Sequence, residues 1–186
     1  MRIIGGKSKG KKINIPNDTK TRPLRDLVKE SIFNLIEHSN KFNKTILNSN
    51  ILDLFSGTGS FGLECYSSGA KFITFIENYS EALGILKKNI KSLNASKHSQ
   101  VIEYNCFEYF RLNKNLKDKY DIIFLDPPYK EDKINILLDK IKDDKLLVEN
   151  GIIIIHRHKK DEVKITTKLN ILDTRNYGIS KIVIGN

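Results

Sequence analysis

Cysteine is scarce in this chain, with Cys65 and Cys106 the only two, far apart in sequence. They provide neither a disulfide framework nor a paired metal motif, so both thiols read as reduced core residues and no metal site is expected. No apolar run reaches the roughly 18 residues that a membrane-crossing helix needs. The opening Met1-Arg2-Ile3-Ile4-Gly5-Gly6 lacks the longer apolar stretch of a secretory signal. Together these absences lead to the expectation of a cytoplasmic protein with no membrane partner. No internal repeat is visible. A chain of 186 residues is too short for two ordinary domains, so any target-recognition surface must be modest.

What is present is ordinary for a globular protein, with 39% hydrophobic and 29% charged residues. The formal charge of +10 points to a polyanionic partner. Its distribution is more informative: residues 1–30 carry a net +6, from nine Lys/Arg against three Asp/Glu, and the rest of the chain only +4. Of the 32 basic residues 26 are lysine, and the chain is also heavy in Asn and Ile, as biased codon usage would produce. Charge alone therefore does not identify the partner.

Two short apolar runs around the Gly/Lys-rich bend of residues 5–12 read as a basic hairpin. Leu24, Val28, Ile32, Leu35 and Ile36 follow helical spacing, with Pro23 at the start. These form an amino-terminal arm, and the polar stretch His38–Asn50 reads as its junction with the core. The expected division is an arm over 1–45 and a main domain over 46–186. From there strands and helices alternate: an apolar run ending at Asp53, a glycine turn and helix, a strand over Phe72–Glu77, and an amphipathic helix over Ser80–Leu93. That helix turns Ala82, Ile85, Leu86, Ile90 and Leu93 inward. Val101–Tyr104, Ile122–Leu125, Ile152–Ile155, Leu169–Leu172 and Lys181–Ile184 are further strand candidates. The alternation predicts an α/β fold with a mostly parallel sheet.

Gly57-Thr58-Gly59-Ser60-Phe61-Gly62 is a G-x-G-x-x-G turn between an apolar strand and a helix. Glycines there allow a sharp turn and the close approach of a ligand to the backbone. Glu77 follows 20 residues after Gly57, where a carboxylate can accept hydrogen bonds from ribose hydroxyls. A nicotinamide dinucleotide satisfies the turn as well as S-adenosylmethionine does. Asp53, four residues before the first glycine, separates the two: a carboxylate is unwelcome beside a pyrophosphate and suits a cationic methionine portion.

Asp126-Pro127-Pro128-Tyr129 ends the apolar strand beginning at Tyr120. The prolines fix φ and remove backbone donors, leaving a rigid corner that presents acceptors. An exocyclic nucleobase amine is a poor nucleophile because its lone pair is delocalised into the ring. Hydrogen bonds accepted by the Asp126 carboxylate and the Pro127 carbonyl would localise that lone pair, with Tyr129 stacked on the base. No strong base is needed when the electrophile is already cationic. Either motif alone fits a plain turn; the two in this order are far more specific.

With these residues the chain resembles the class I methyltransferases that carry a D-P-P-Y amine motif. The resemblance implies a Rossmann-like, seven-stranded, mostly parallel sheet with helices on both faces and an antiparallel hairpin at one edge. Arg2-Ile3-Ile4-Gly5-Gly6, Lys9-Gly10-Lys11-Lys12, Thr21-Arg22-Pro23 and the run from Asp26 to Asn34 are similar to the RsmD family, as are Gly62-Leu63-Glu64, Gly69-Ala70 and Tyr177-Gly178. That family methylates guanine N2 in bacterial 16S rRNA. The likeness implies Asp53, Gly57 and Gly59 around the methionine portion, Glu77 on the ribose, and Asn105-Cys106 beside the adenine. Phe55, Ser56, Thr58 and Asn78 complete the candidate cofactor set. Asn105 stands where Asp is more usual, so its amide oxygen would take the adenine amine. Asp126, Pro127, Pro128 and Tyr129 are the candidate catalytic residues. Arg2, Lys7, Lys9, Lys11, Lys12, Arg22 and Arg25 are the candidate RNA contacts.

Leu24 and Leu27 replace a Thr and an Arg that are common in the family. His156-Arg157-His158 falls where the family tends to be acidic; with too few neighbouring ligands for a metal, the two histidines read as surface residues at a strand end. The expected substrate is 16S rRNA, alone or within a small ribosomal subunit, and no obligate protein partner is evident. Adenine-N6 methylation of DNA uses the same amine chemistry but lacks a separate DNA-reading domain here. A nicotinamide-dependent reductase leaves Asp53 and Asp126 without work, and a non-catalytic RNA-binding protein accounts only for the charge.

Overall fold

Among the described residues, seven strands collect the apolar runs: β1 (Asn50–Leu54), β2 (Phe72–Glu77), β3 (Ser99–Glu103), β4 (Tyr120–Leu125), β5 (Leu147–His158), β6 (Ile171–Tyr177) and β7 (Ser180–Gly185). The computed structural model describes residues 1–16, 24–42, 44–112, 119–128, 131–161, 165 and 169–186. The sheet order is β3-β2-β1-β4-β5-β7-β6. β1 to β5 pair in parallel, and β7 runs antiparallel to both β5 and β6. The α/β alternation and the antiparallel edge hairpin are thus present.

Side chains alternate across this sheet and create two cores. On one face Ile51, Phe75, Phe124, Ile154 and Ile182 meet helices α1 (Asp26–His38), α2 (Ser60–Ser67) and α3 (Ser80–Ser92). On the other, Leu54, Ile76, Leu125, Ile155 and Val183 meet α4 (Cys106–Leu112) and α5 (Ile134–Asp143). Both faces are covered, which is why the central strands read as continuous apolar runs. β6 departs from the expected Leu169–Leu172: it begins two residues later and extends to Tyr177. Its one buried residue is Asp173. An edge strand with so little burial has no apolar pattern to announce it.

In α3, Ala82, Leu86 and Ile90 are buried as expected, whereas Ile85 is half-buried and Leu83 turns inward beside them. The helix of the arm, α1, starts at Asp26; Pro23 lies outside the described residues. The amino-terminal segment does form a hairpin, closed by an Arg2–Lys12 bridge and by the Ile3 amide donating to the Lys11 carbonyl at 2.9 Å. Ile3, Ile13, Val28 and Ile32 share the first core with Ile51 and Phe61.

A buried ion pair joins the arm to the core. Lys29 Nζ lies 2.8 Å from Glu64 Oε2, with both side chains fully buried. Glu64 also accepts hydrogen bonds from the amides of Ile4 and Gly5, and Lys29 donates to the Arg2 carbonyl. Taking two charges out of water is offset only by such complete pairing. Among the described residues no helix is long and apolar enough to cross a membrane.

Candidate active site

β1 and β4 are adjacent and parallel, with Leu54 opposite Leu125. The glycine loop leaves one strand and the Asp-Pro-Pro corner leaves the other at the same edge of the sheet. The Asp126 amide reaches the Leu54 carbonyl at 3.4 Å. The two motifs therefore meet, at the carboxyl ends of the strands where open α/β sheets place their ligands.

The loop is built tightly. Gly59 sits at φ +82°, and a Cβ there would collide with the Leu86 side chain. Its left-handed conformation starts α2, a role glycine fills without strain. Ser56 Oγ donates to the Asp53 carbonyl at 2.6 Å and the Ser56 amide donates to the Ile76 carbonyl. Phe55 also adopts a positive φ of 59°, and its ring lies 5.7 Å from that of Phe107. The Thr58 carbonyl accepts from Asn89 Nδ2 at 3.0 Å. Asn89 is fully buried and also bonds Asn14 at the end of the hairpin. One side chain thus ties arm, α3 and glycine loop together.

Three carboxylates share this edge. Asp53 is buried and accepts a hydrogen bond from the Gly62 amide at 3.0 Å. Burial pushes its carboxyl up to about 8; the Gly62 bond opposes the rise, while the negative charges of Asp126 and Glu77 add to it. Glu77 accepts from the Gly57 amide at 2.7 Å and from the amides of Asn78 and Tyr79. It therefore pins the end of β2 to the glycine loop. Asn78 is exposed.

Asn105 does something its sequence context does not suggest. Its Oδ1 accepts from the amides of Phe107 at 2.9 Å and Glu108 at 3.2 Å. The amide oxygen expected to meet an adenine amine caps α4 instead, the usual service of an Asn before a helix. Cys106, beside it, is buried, and burial pushes its thiol up to about 12, so it stays an inert thiol at neutral pH.

At the second motif Pro127 is buried and Pro128 exposed; Tyr129 lies outside the described residues. The Pro128 carbonyl accepts from the Glu131 amide at 2.9 Å. The end of β5 grips the two sides of this corner. On one face of the sheet, His156 Nδ1 lies 2.8 Å from Asp126 Oδ1 and Nε2 lies 2.9 Å from Ser180 Oγ. On the other, the buried Arg157 donates to the Glu131 carbonyl at 2.8 Å and pairs with Asp161. His156 is thus no surface histidine. Strand alternation turns it to the same face as Ile154 and Asp126, a signal the uniformly apolar Ile152–Ile155 run concealed. Lys29 is a further residue that the sequence does not single out, although it falls within the apolar stripe of Val28, Ile32 and Ile36.

The candidate nucleic-acid contacts divide. Arg2, Lys9, Lys11, Lys12 and Arg25 are exposed. Lys7 is held over the Tyr66 ring, 3.6 Å from its centroid, and Arg2 lies 3.9 Å from Asp26. Arg22 lies outside the described residues. Among the described residues no group of three or more His, Cys, Asp or Glu is arranged to hold a metal ion.

The strand order, the reversed β7 and the glycine loop after β1 define a class I, Rossmann-like methyltransferase fold. Residues 1–186 match the family described as conserved hypothetical protein 95, the RsmD family of methyltransferases, and the chain belongs to it. Ribosomal RNA small subunit methyltransferase D of Buchnera aphidicola is 34% identical over 161 residues, covering 87% of this chain and 80% of its own. The namesake of Escherichia coli K12 is 32% identical over 163 residues, covering 82% and 77%. Among solved structures, the Escherichia coli methyltransferase yhhF superposes with a TM-score of 0.84 at 24% identity, covering 100% of this chain and 96% of that one.

Proposed function

We propose that this enzyme transfers a methyl group from S-adenosylmethionine to the exocyclic N2 amine of a guanine in 16S rRNA, leaving S-adenosylhomocysteine. The observation that carries the reading is the meeting of the Asp53 glycine loop and the Asp126 corner at one sheet edge. The family and the named small-subunit methyltransferases support rRNA as the substrate.

The residues present fit the cofactor. Asp53, Glu77 and Asp126 share one edge, and a cationic ligand there would favour the ionised form of Asp53, which burial and the charges of Asp126 and Glu77 oppose. When bound, S-adenosylmethionine supplies a methyl group on a cationic sulfur. Asp53, Phe55, Ser56, Gly57, Thr58 and Gly59 would hold its methionine side, and Glu77 and Asn78 its ribose. Asn105 and Cys106 would flank the adenine, with Asn105 contributing through the α4 start it caps.

Asp126 and the Pro127 carbonyl accept the two amine hydrogens and localise the nitrogen lone pair. Once the nitrogen is alkylated it loses a proton readily, and the Asp126 carboxylate would take it. Pro127 and Pro128 keep the corner rigid, and Tyr129 stacks on the splayed base. Residues 1–45 grip RNA through Arg2, Lys7, Lys9, Lys11, Lys12, Arg22 and Arg25, while 46–186 carry out transfer in the cytoplasm, on free 16S rRNA or a small subunit.

Asp126→Ala separates the two halves of this reading. Transfer should fall by at least about 100-fold, in the range seen when a hydrogen-bonding group is removed from a reacting centre, while S-adenosylmethionine affinity changes less than about threefold. Loss of cofactor binding with the carboxylate would reassign Asp126.

A further inference from the structure

We infer that His156, steadied by Ser180, is a positioning residue that orients the Asp126 carboxylate for the target amine. The inference rests on the transfer reading above and concerns a residue outside both sequence motifs.

His156 and Asp126 extend the paired register of β5 and β4, one step beyond Leu125 opposite Ile155. Alternation sends both side chains to the sheet face that also holds Asp53. Ser180 opens β7 on the far side of β5, and its hydroxyl lies 2.9 Å from Nε2. The ring is therefore held from both ends, between Asp126 Oδ1 at 2.8 Å and Ser180 Oγ. Its side chain is 18% exposed and that of Asp126 is 25% exposed, so the contact is only partly reached by water.

An ionised carboxylate can only accept, so the contact requires a proton on Nδ1. The other ring nitrogen then accepts from Ser180, or donates to it if the ring is charged. In either state one carboxylate oxygen is fixed by Nδ1–H. Among the described residues no hydrogen bond engages Oδ2, which remains for the amine. A carboxylate free to rotate would spread its acceptors over many directions; one clamped at Oδ1 presents Oδ2 in a single direction. Orientation of this kind acts on the rate of transfer rather than on cofactor affinity.

The test compares three variants and the resting protein. His156→Ala should lower kcat about 10- to 100-fold, as expected for losing a hydrogen bond to a charged group, with S-adenosylmethionine affinity by calorimetry unchanged within about twofold. His156→Asn places an amide N–H where Nδ1–H stood and should recover most of that loss. His156→Gln places its amide near Ser180 instead and should not. Equal activity of the Asn and Gln variants, or an Ala variant within about twofold of wild type, overturns the proposal. Circular dichroism melts identify any variant that fails to fold.

The second measurement needs no activity. Nitrogen NMR of the histidines, without cofactor or RNA, should show Nδ1 of His156 protonated, and Asp126→Ala should abolish that preference. A bare Nδ1 in the wild-type protein overturns the proposal even if methyl transfer is confirmed. A protein that transfers no methyl group but keeps the protonated Nδ1 contradicts the functional reading alone.

Discussion

At Asp53, burial and two neighbouring carboxylates push in the same direction, and the result is a group that holds its proton to about 8 instead of 3.8. The native protein therefore binds this proton more tightly than the unfolded chain does. The linked stability is complete below about pH 4 and declines as pH rises toward about 8. A cation bound at this edge favours the ionised form, so cofactor binding should expel the proton. Titration calorimetry of S-adenosylmethionine at pH 7, in two buffers of different ionisation heat, should report release of most of one proton. Affinity should rise with pH through about 8, and Asp53→Asn should remove the release; heats independent of the buffer would contradict the assignment.

Single residues differ in how plainly the sequence announces them. Asp53, Gly57 and Asp126 stand at fixed offsets from strand ends, so their chemistry is legible from spacing. His156 is not, because four isoleucines before it occupy both faces of the strand and give no alternation to follow. Asn105 shows the opposite problem, since a helix cap and a ligand contact call for the same side chain.

Among the elements, α1 depends on Lys29, a charge set within its apolar stripe. Lys29→Ala would leave the buried Glu64 carboxylate held by the amides of Ile4 and Gly5, without its cation. Breaking a buried pair in this way costs about 3–5 kcal/mol, which denaturant unfolding would detect directly. A loss below about 1 kcal/mol would mean that water reaches Glu64 and that the arm is held by its apolar contacts alone. The pair is invisible in sequence because its partners are 35 positions apart. Strands β2, β4 and β7 are legible because both faces are buried, and β6 is not because it lies at the edge with a single buried residue.

For the molecule as a whole, periodicity predicts alternating strands and helices but cannot order them. The family resemblance implied a seven-stranded sheet with an antiparallel edge hairpin, but the order β3-β2-β1-β4-β5-β7-β6 lay beyond the sequence, since crossovers leave no local trace. The same holds for the hairpin's attachment to α2 and the glycine loop, which places exposed Lys9, Lys11 and Lys12 on the arm. Replacing these three with Ala should weaken RNA binding and flatten the salt dependence of log K by about 2 to 3 units of slope, at roughly 0.7–0.9 for each phosphate that a lysine no longer neutralises. An unchanged slope would remove the arm from the RNA interface.

The identity of the methylated nucleoside decides between guanine-N2 transfer and its alternatives. The enzyme and S-adenosylmethionine are incubated separately with small ribosomal subunits, free 16S rRNA and DNA, and the digests are analysed by mass spectrometry. N2-methylguanosine is expected from ribosomal RNA, and none with Asp126→Ala. Methylated adenine from DNA, or a ribosomal product other than N2-methylguanosine, would contradict guanine-N2 transfer.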